Sequence, residues 1–178
     1  MAIGLLRFPA HPKERSMTFT ETARQYLEAF AAGETPQGGM AKFEELRNLS
    51  LDGTMESLDR LDAFLLELHK QGFADEIDLD SEEHQNFLYF TGFYLGKVAG
   101  SQVSLDAVWV PWEALMEANP SLKEAIPEVF GTSLLCVLGK SLYIPLSAVM
   151  ARIYEGAACE KSLRSSVETI AEGVRSLN

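Results

Sequence analysis

The sequence is short of the residues that build most recognisable sites. It has two cysteines in 178 residues, Cys136 and Cys159. Two are too few for a disulfide framework, and a reducing cytoplasm is the simpler setting. Cys136 lies in the apolar stretch SLLCVLG and reads as a small core residue. Histidine is as scarce: His11, His69 and His84 have no second His and no Cys at ligand spacing, which excludes a zinc motif. No Gly-x-Ser-x-Gly elbow occurs, and Cys136 has no His near it in sequence. The acidic run DEIDLDSEE lacks the glycine and the closing glutamate that an EF-hand loop places at its sixth and twelfth positions. The expectation is a chain with no metal and no cofactor.

Positive charge is the next shortage. Lys and Arg total 15 against 26 Asp and Glu, for a net charge of −11 and a pI of about 4.7. A chain so poor in cations is unsuited to displacing counterions from nucleic acid or to docking on anionic lipid. Long apolar runs are missing too. The best candidate begins at Phe87 and meets Lys97 ten residues on, whereas a bilayer span needs about 20. The opening MAIGLLRFPAHPKER has a short apolar stretch followed by prolines, which is not the order of a signal peptide, so no export is expected.

What is present is enough apolar material, 47%, for a real core in one domain. The acid is concentrated: between positions 44 and 86 thirteen acidic residues stand against three basic ones. Such a region either keeps a surface solvated or offers a docking face to a basic partner. The candidate face comprises Asp59, Asp62, Asp75, Glu76, Asp78, Asp80, Glu82 and Glu83. Asp59 and Asp62, three apart on one helix face, also admit a paired-carboxylate reading, although surface helices carry such pairs routinely.

Periodicity places the elements. Residues 1–17, with Pro9 and Pro12, read as a tail, and 18–178 as one α+β domain. Its part 18–100 is helical and acidic; 101–178 holds a small antiparallel sheet and closing helices. Thr18 and Glu21 have capping-box spacing before a helix whose stripe is Tyr26, Leu27 and Phe30, and Gly33 ends it. A short helix is expected over 40–49. Met55, Leu58, Leu61, Leu65 and Leu68 recur at helical steps, and Asp80 with Glu83 repeats the capping spacing. VSLDAVWV predicts a strand that Pro111 stops. WEALMEAN predicts a short helix, and SLLCVLGKSLYIPL two strands around a Gly139-Lys140 turn. Pro145 suits a first helical turn. Leu163, Val167, Ile170, Val174 and Leu177 form the stripe of a last helix, which docks on the core or pairs in a homodimer.

The stretch FLYFTGFYLGKVAG sets Gly92, Gly96 and Gly100 four apart. The spacing fits neither a dinucleotide fingerprint nor a P-loop. Each interior glycine costs a helix about 1 kcal/mol relative to alanine, so Gly92 and Gly96 predict close packing of another segment; Gly100 is expected to cap the helix. Trp109 and Trp112 flank the strand end, one for the core and one half exposed.

The order Tyr94, Gly96, Lys97, Trp109, Pro145, Arg152, Gly156, Ser162 and Leu163 resembles a broad group of bacterial proteins that carry a Tyr-x-Gly-Glu-x helix. Lys97 departs from that pattern, which has Glu there. The group has no established activity, so the resemblance implies a bacterial cytoplasmic protein and no catalytic residue. The functional expectation is a non-enzymatic protein-interaction module with an acidic face. Alternatives are an immunity or inhibitor protein against a basic toxin or nuclease, and a small-molecule enzyme whose site is assembled from distant residues.

Overall fold

The computed structural model describes residues 18–177; the expected tail, with His11, and Asn178 lie outside the described residues. The fold is helix-rich α+β with one small antiparallel sheet.

Helix α1, Phe19–Ala32, opens with the expected capping box: Glu21 N–H donates to Thr18 Oγ1, and Thr18 N–H donates to the Glu21 carboxylate. Those two bonds satisfy amides that a helix start leaves unpaired, and the Thr18 N–H, with the Thr18 hydroxyl beside it, holds the Glu21 carboxyl below its usual range. Gly33 closes the helix at φ 82°. After the short helix α2, Phe43–Arg47, comes α3, Met55–Lys70, capped by Thr54 and burying Leu58, Leu61, Leu65 and Leu68. A single turn, α4, Phe73–Glu76, follows, because Gly72 in the left-handed region (φ 81°) lets the chain restart a turn that buries Phe73.

Helix α5, Glu82–Val103, is the axis. From Asn86 to Gly100 all but Tyr89 and Lys97 are buried, since the helix is apolar and covered on nearly every side. Helix α1 packs on one flank, where Phe30 stacks on Phe90 with ring centroids 4.1 Å apart and Tyr26 meets Phe93 edge-on at 5.4 Å. The closing helices α7, Pro145–Glu155, and α8, Leu163–Ser176, pack on the other. The C-terminal stripe is spent inside the chain: Leu163, Val167 and Val174 are buried and Ile170 is half-buried, leaving only Leu177 exposed.

Strands β1 (Val108–Pro111), β2 (Leu134–Leu138) and β3 (Ser141–Tyr143) form the sheet in that order. Trp109 pairs with Cys136, and Cys136 with Tyr143, so these three form one row across the face toward α5. The alternate residues Val110, Leu135 and Val137 point the other way, onto Leu115 and Met116 of helix α6, Trp112–Ala118. Both faces of β2 are therefore covered, which is why it reads as an unbroken apolar run rather than an alternating one. The β2–β3 turn has Gly139 at φ 60°, as a two-residue turn opening with glycine requires.

Burial of Cys136 pushes its thiol up to about 12, so it stays protonated at neutral pH. Cys159 is only partly buried. The expected result with a thiol-reactive chromogen is one fast equivalent from Cys159 in the native protein and a second only after denaturation. Two fast equivalents would mean that the sheet row against α5 opens readily.

Candidate functional site

The eight carboxylates expected on one face divide into two groups. Asp62, on α3, does not face solvent. Its carboxylate is buried against Arg152 of α7, which donates through Nε to Oδ1 at 2.8 Å and through Nη2 to Oδ2 at 2.5 Å. Leu163 N–H, at the start of α8, donates to the same Oδ1 at 2.9 Å. Arg152 Nη1 reaches the carbonyls of Gly156 and Cys159 at 3.0 and 3.3 Å. One carboxylate thus pins α3 to α7 and takes the first amide of α8, and its hydrogen bond holds the guanidinium pKa above the ordinary value. Placing Asp62 on an interaction face is corrected by this burial: its carboxylate is turned inward and already accepts three hydrogen bonds. Asp59 is exposed, yet its carboxylate accepts two bonds from Arg164 of α8, at 2.8 and 2.6 Å, and these lower its pKa. Asp59 and Asp62 therefore serve different arginines and are not a catalytic pair.

The other six behave differently. Asp75, Glu76, Asp78, Asp80, Glu82 and Glu83 are all exposed, and among the described residues no cationic nitrogen comes within ion-pair distance of any of them. They sit on a firm mount. Asp78 Oδ1 accepts from Asp80 N–H at 2.9 Å, and Asp78 N–H donates to His84 Nδ1 at 3.1 Å, which fixes that nitrogen as the unprotonated one. The expected capping box of Asp80 with Glu83 does not form. Ser81 takes the N-cap position without a side-chain bond, because the Asp78 carboxylate turns the chain one residue further on. Glu82 and Glu83 occupy the first turn of α5, where the helix dipole favours acid. They lie over the PQGG loop, with Glu82 against Gly38 and Glu83 against Gly39. Asn86 ties that loop down by donating to the carbonyls of Gln37 and Gly39, at 2.9 and 2.7 Å, while accepting from Tyr26.

The remaining candidates are structural. His69 Nδ1 lies 2.8 Å from the Ile153 carbonyl, which can only accept, so that nitrogen carries the proton. Trp109 is buried, and Trp112 is half-buried with its indole N–H on the Ile126 carbonyl at 2.9 Å. Gly92 faces the backbone of Leu146, and Gly96 faces the ring of Trp109. Gly100 does not cap the helix. It admits the Leu105 carbonyl, and α5 runs on to Ser104, which takes the left-handed cap at φ 55°. An open groove of about 810 Å³ between α1 and the C-terminal half of α5 has Arg24, Glu28, Lys97 and Asp106 along it, charges of both signs with Arg24 already 3.7 Å from Glu28. Among the described residues no group of three or more His, Cys, Asp or Glu is placed to hold a metal ion, and no helix is long and apolar enough to cross a membrane.

Sequence reasoning missed Arg152 and Arg164 as the residues that sort the acids. Both partners lie about 90 to 105 positions from their carboxylates, beyond the reach of any local spacing rule.

The class defined by this arrangement is a helix-rich α+β domain with an acidic edge that has no ion pair among the described residues. No family model, no curated protein and no solved structure matches the chain.

Proposed function

We propose that the protein is a non-enzymatic interaction module whose acidic edge, residues 75–83, docks a basic protein partner. The observation that carries this reading is the contrast between the two groups of acids. Those on α3 are neutralised by arginines of the closing helices, whereas the six from Asp75 to Glu83 are exposed without an ion pair among the described residues. Crowding six like charges on one edge raises the energy of the free protein, and a cationic partner relieves it while gaining in association rate. The mount formed by Asp78, His84 and Asn86 holds the edge in place, so little ordering is needed on binding.

The test is capture from the native host followed by mass spectrometry, at low and at high salt, beside the variant Asp75→Asn/Glu76→Gln/Asp78→Asn/Asp80→Asn. The amide at 78 keeps an acceptor for the Asp80 amide, so the turn survives. The expected result is a partner held at low salt, weakened at high salt and lost with the variant. Equal capture by the variant, or no salt-sensitive partner at all, would remove the reading.

A further inference from the structure

Exposed large apolar side chains are few among the described residues: Phe19, Val108, Val129, Tyr154 and Leu177. Two of them line the same shallow depression. It measures about 570 Å³ and is walled by Leu79, Val129, Phe130, Met150 and Tyr154, with Glu155 at its edge. Val129 is 55% exposed and Tyr154 44%. Exposed apolar side chains that gather rather than scatter mark an interaction site. A methionine in such a wall adapts to more than one side-chain shape.

The depression is built, not loose. The turn Phe130–Thr132 is joined to α7 by Ser147, whose hydroxyl donates to the Gly131 carbonyl at 2.9 Å. Thr132 Oγ1 shares its one hydrogen between the carbonyls of Pro127, at 2.6 Å, and Val129, at 3.0 Å, and accepts from Val129 N–H at 3.1 Å, which sets the exposed valine in place. Phe130 leans on Tyr89 of α5 with ring centroids 5.4 Å apart. The apolar groups are thus held outward by bonds made behind them.

Its charge has one sign. Asp78 and Asp80 flank Leu79 in the chain, Glu128 precedes Val129, and Glu155 lines the rim; all four are exposed. Among the described residues no Lys, Arg or His lines the depression. The one cation next in sequence to a lining residue is Arg152, which is buried on Asp62. Glu155 stands in the last turn of α7, where the helix dipole disfavours an acid. Leu79 makes the depression continuous with the acidic edge. The geometry points to one composite docking surface, and to a partner segment that inserts a bulky apolar side chain between Val129, Phe130 and Tyr154 while flanking lysines or arginines meet residues 78, 80, 128 and 155. This rests on the acidic-edge reading above and names the chemistry of its partner. The apolar anchor supplies affinity and the charges supply rate and selectivity.

Three labelled peptides test it by fluorescence anisotropy: one of repeating Lys-Lys-Leu-Leu units, one of equal charge with Ser in place of every Leu, and one with Ser in place of every Lys. The proteins are wild type, Val129→Ser/Tyr154→Ser, the four-carboxylate variant described above, and Val108→Ser/Leu177→Ser as an apolar control outside the depression. The expected result is that the Lys/Leu peptide binds best. Its Kd rises about tenfold or more with Val129→Ser/Tyr154→Ser, the loss of a central anchor, and does not move with the control. The Lys/Ser peptide ignores Val129→Ser/Tyr154→Ser and weakens with the carboxylate variant. If the carboxylate variant weakens both cationic peptides while Val129→Ser/Tyr154→Ser changes neither, the acidic-edge reading stands and the composite surface is overturned. Equal weakening by the Val108→Ser/Leu177→Ser control also overturns it, since the peptide then adsorbs to any exposed apolar group. Binding that ignores the carboxylate variant, or no binding by either cationic peptide, overturns both readings. Circular dichroism of each variant separates lost binding from lost fold.

Discussion

Asp62→Ala destabilises the fold by about 3–5 kcal/mol, the range for breaking a buried ion pair from one side. The residual charge of Arg152 stays where it was, on a side chain only 10% exposed, with two carbonyls as its remaining partners. Leu163 N–H loses its acceptor at the start of α8 as well. Domains of this kind have about 5–15 kcal/mol in total, so the loss is a large share of it and lowers Tm by roughly 6–20 °C. The comparison that isolates the cause is Asp62→Leu/Arg152→Met. Removing both charges and filling the space with apolar groups restores most of the stability. A deficit of about 1 kcal/mol remains for the Leu163 amide left without its acceptor, while Ser162 still caps α8. Asp59→Ala, by contrast, breaks an exposed pair with Arg164 and leaves Tm nearly unchanged. Urea titrations of the three variants beside the wild type decide the matter. A loss below about 1 kcal/mol for Asp62→Ala would show that α3, α7 and α8 are held by packing alone.

The features legible in the sequence were those written locally. Thr18 and Glu21 are three apart and cap each other; the leucines of α3 repeat within one helix; Gly139, Lys140 and Pro145 carry their own backbone preferences. These signals need no tertiary partner to be read. Asp62 is the opposite case. In sequence it is one more acid among thirteen, and nothing within a helical turn separates it from Asp59; only the return of the chain 90 residues later brings Arg152 to it. Gly100 shows a second kind of ambiguity. A glycine at the end of an apolar helix fits both a cap and a contact, and the Leu105 carbonyl 2.5 Å from its missing Cβ makes it a contact. The acid-rich segment 75–83 was legible as charge. Its apolar companion was not, because Leu79, Val129 and Tyr154 come from three separate stretches and each is unremarkable alone.

Gly92 and Gly96 carried the same expectation, close packing of another segment, and the structure separates them once the smallest side chain is considered. A Cβ on Gly96 would lie 2.4 Å from Trp109 Cζ2, 2.9 Å from Cη2 and 3.2 Å from Cys136 Sγ. Trp109 cannot swing away cheaply. It is 6% exposed, its ring meets Phe93 edge-on at 4.8 Å, and its backbone N–H donates to Thr20 Oγ1 at 2.9 Å. Overpacking of this kind costs about 1–3 kcal/mol, against which alanine returns about 1 kcal/mol of helix propensity. Gly96→Ala is therefore neutral to destabilising by about 2 kcal/mol, and Gly96→Leu, which adds three more carbons toward the same ring, abolishes the native fold. At Gly92 the nearest atoms to a Cβ are those of Leu146, all at 3.7 Å, an ordinary contact. Gly92→Ala keeps the propensity gain with no clash and raises stability by up to about 1 kcal/mol. Only the longer Gly92→Leu forces α5 away from the start of α7. Thermal melts of the two alanine variants give opposite shifts if the α5–sheet spacing is set by Trp109 against Gly96. Trp109→Phe, which removes the two crowding atoms, makes Gly96→Ala milder than in the parent, so the pair falls short of additivity. Equal shifts at both positions, or strict additivity with Trp109→Phe, would mean that the sheet row moves freely and that the glycines are not what sets its distance from the central helix.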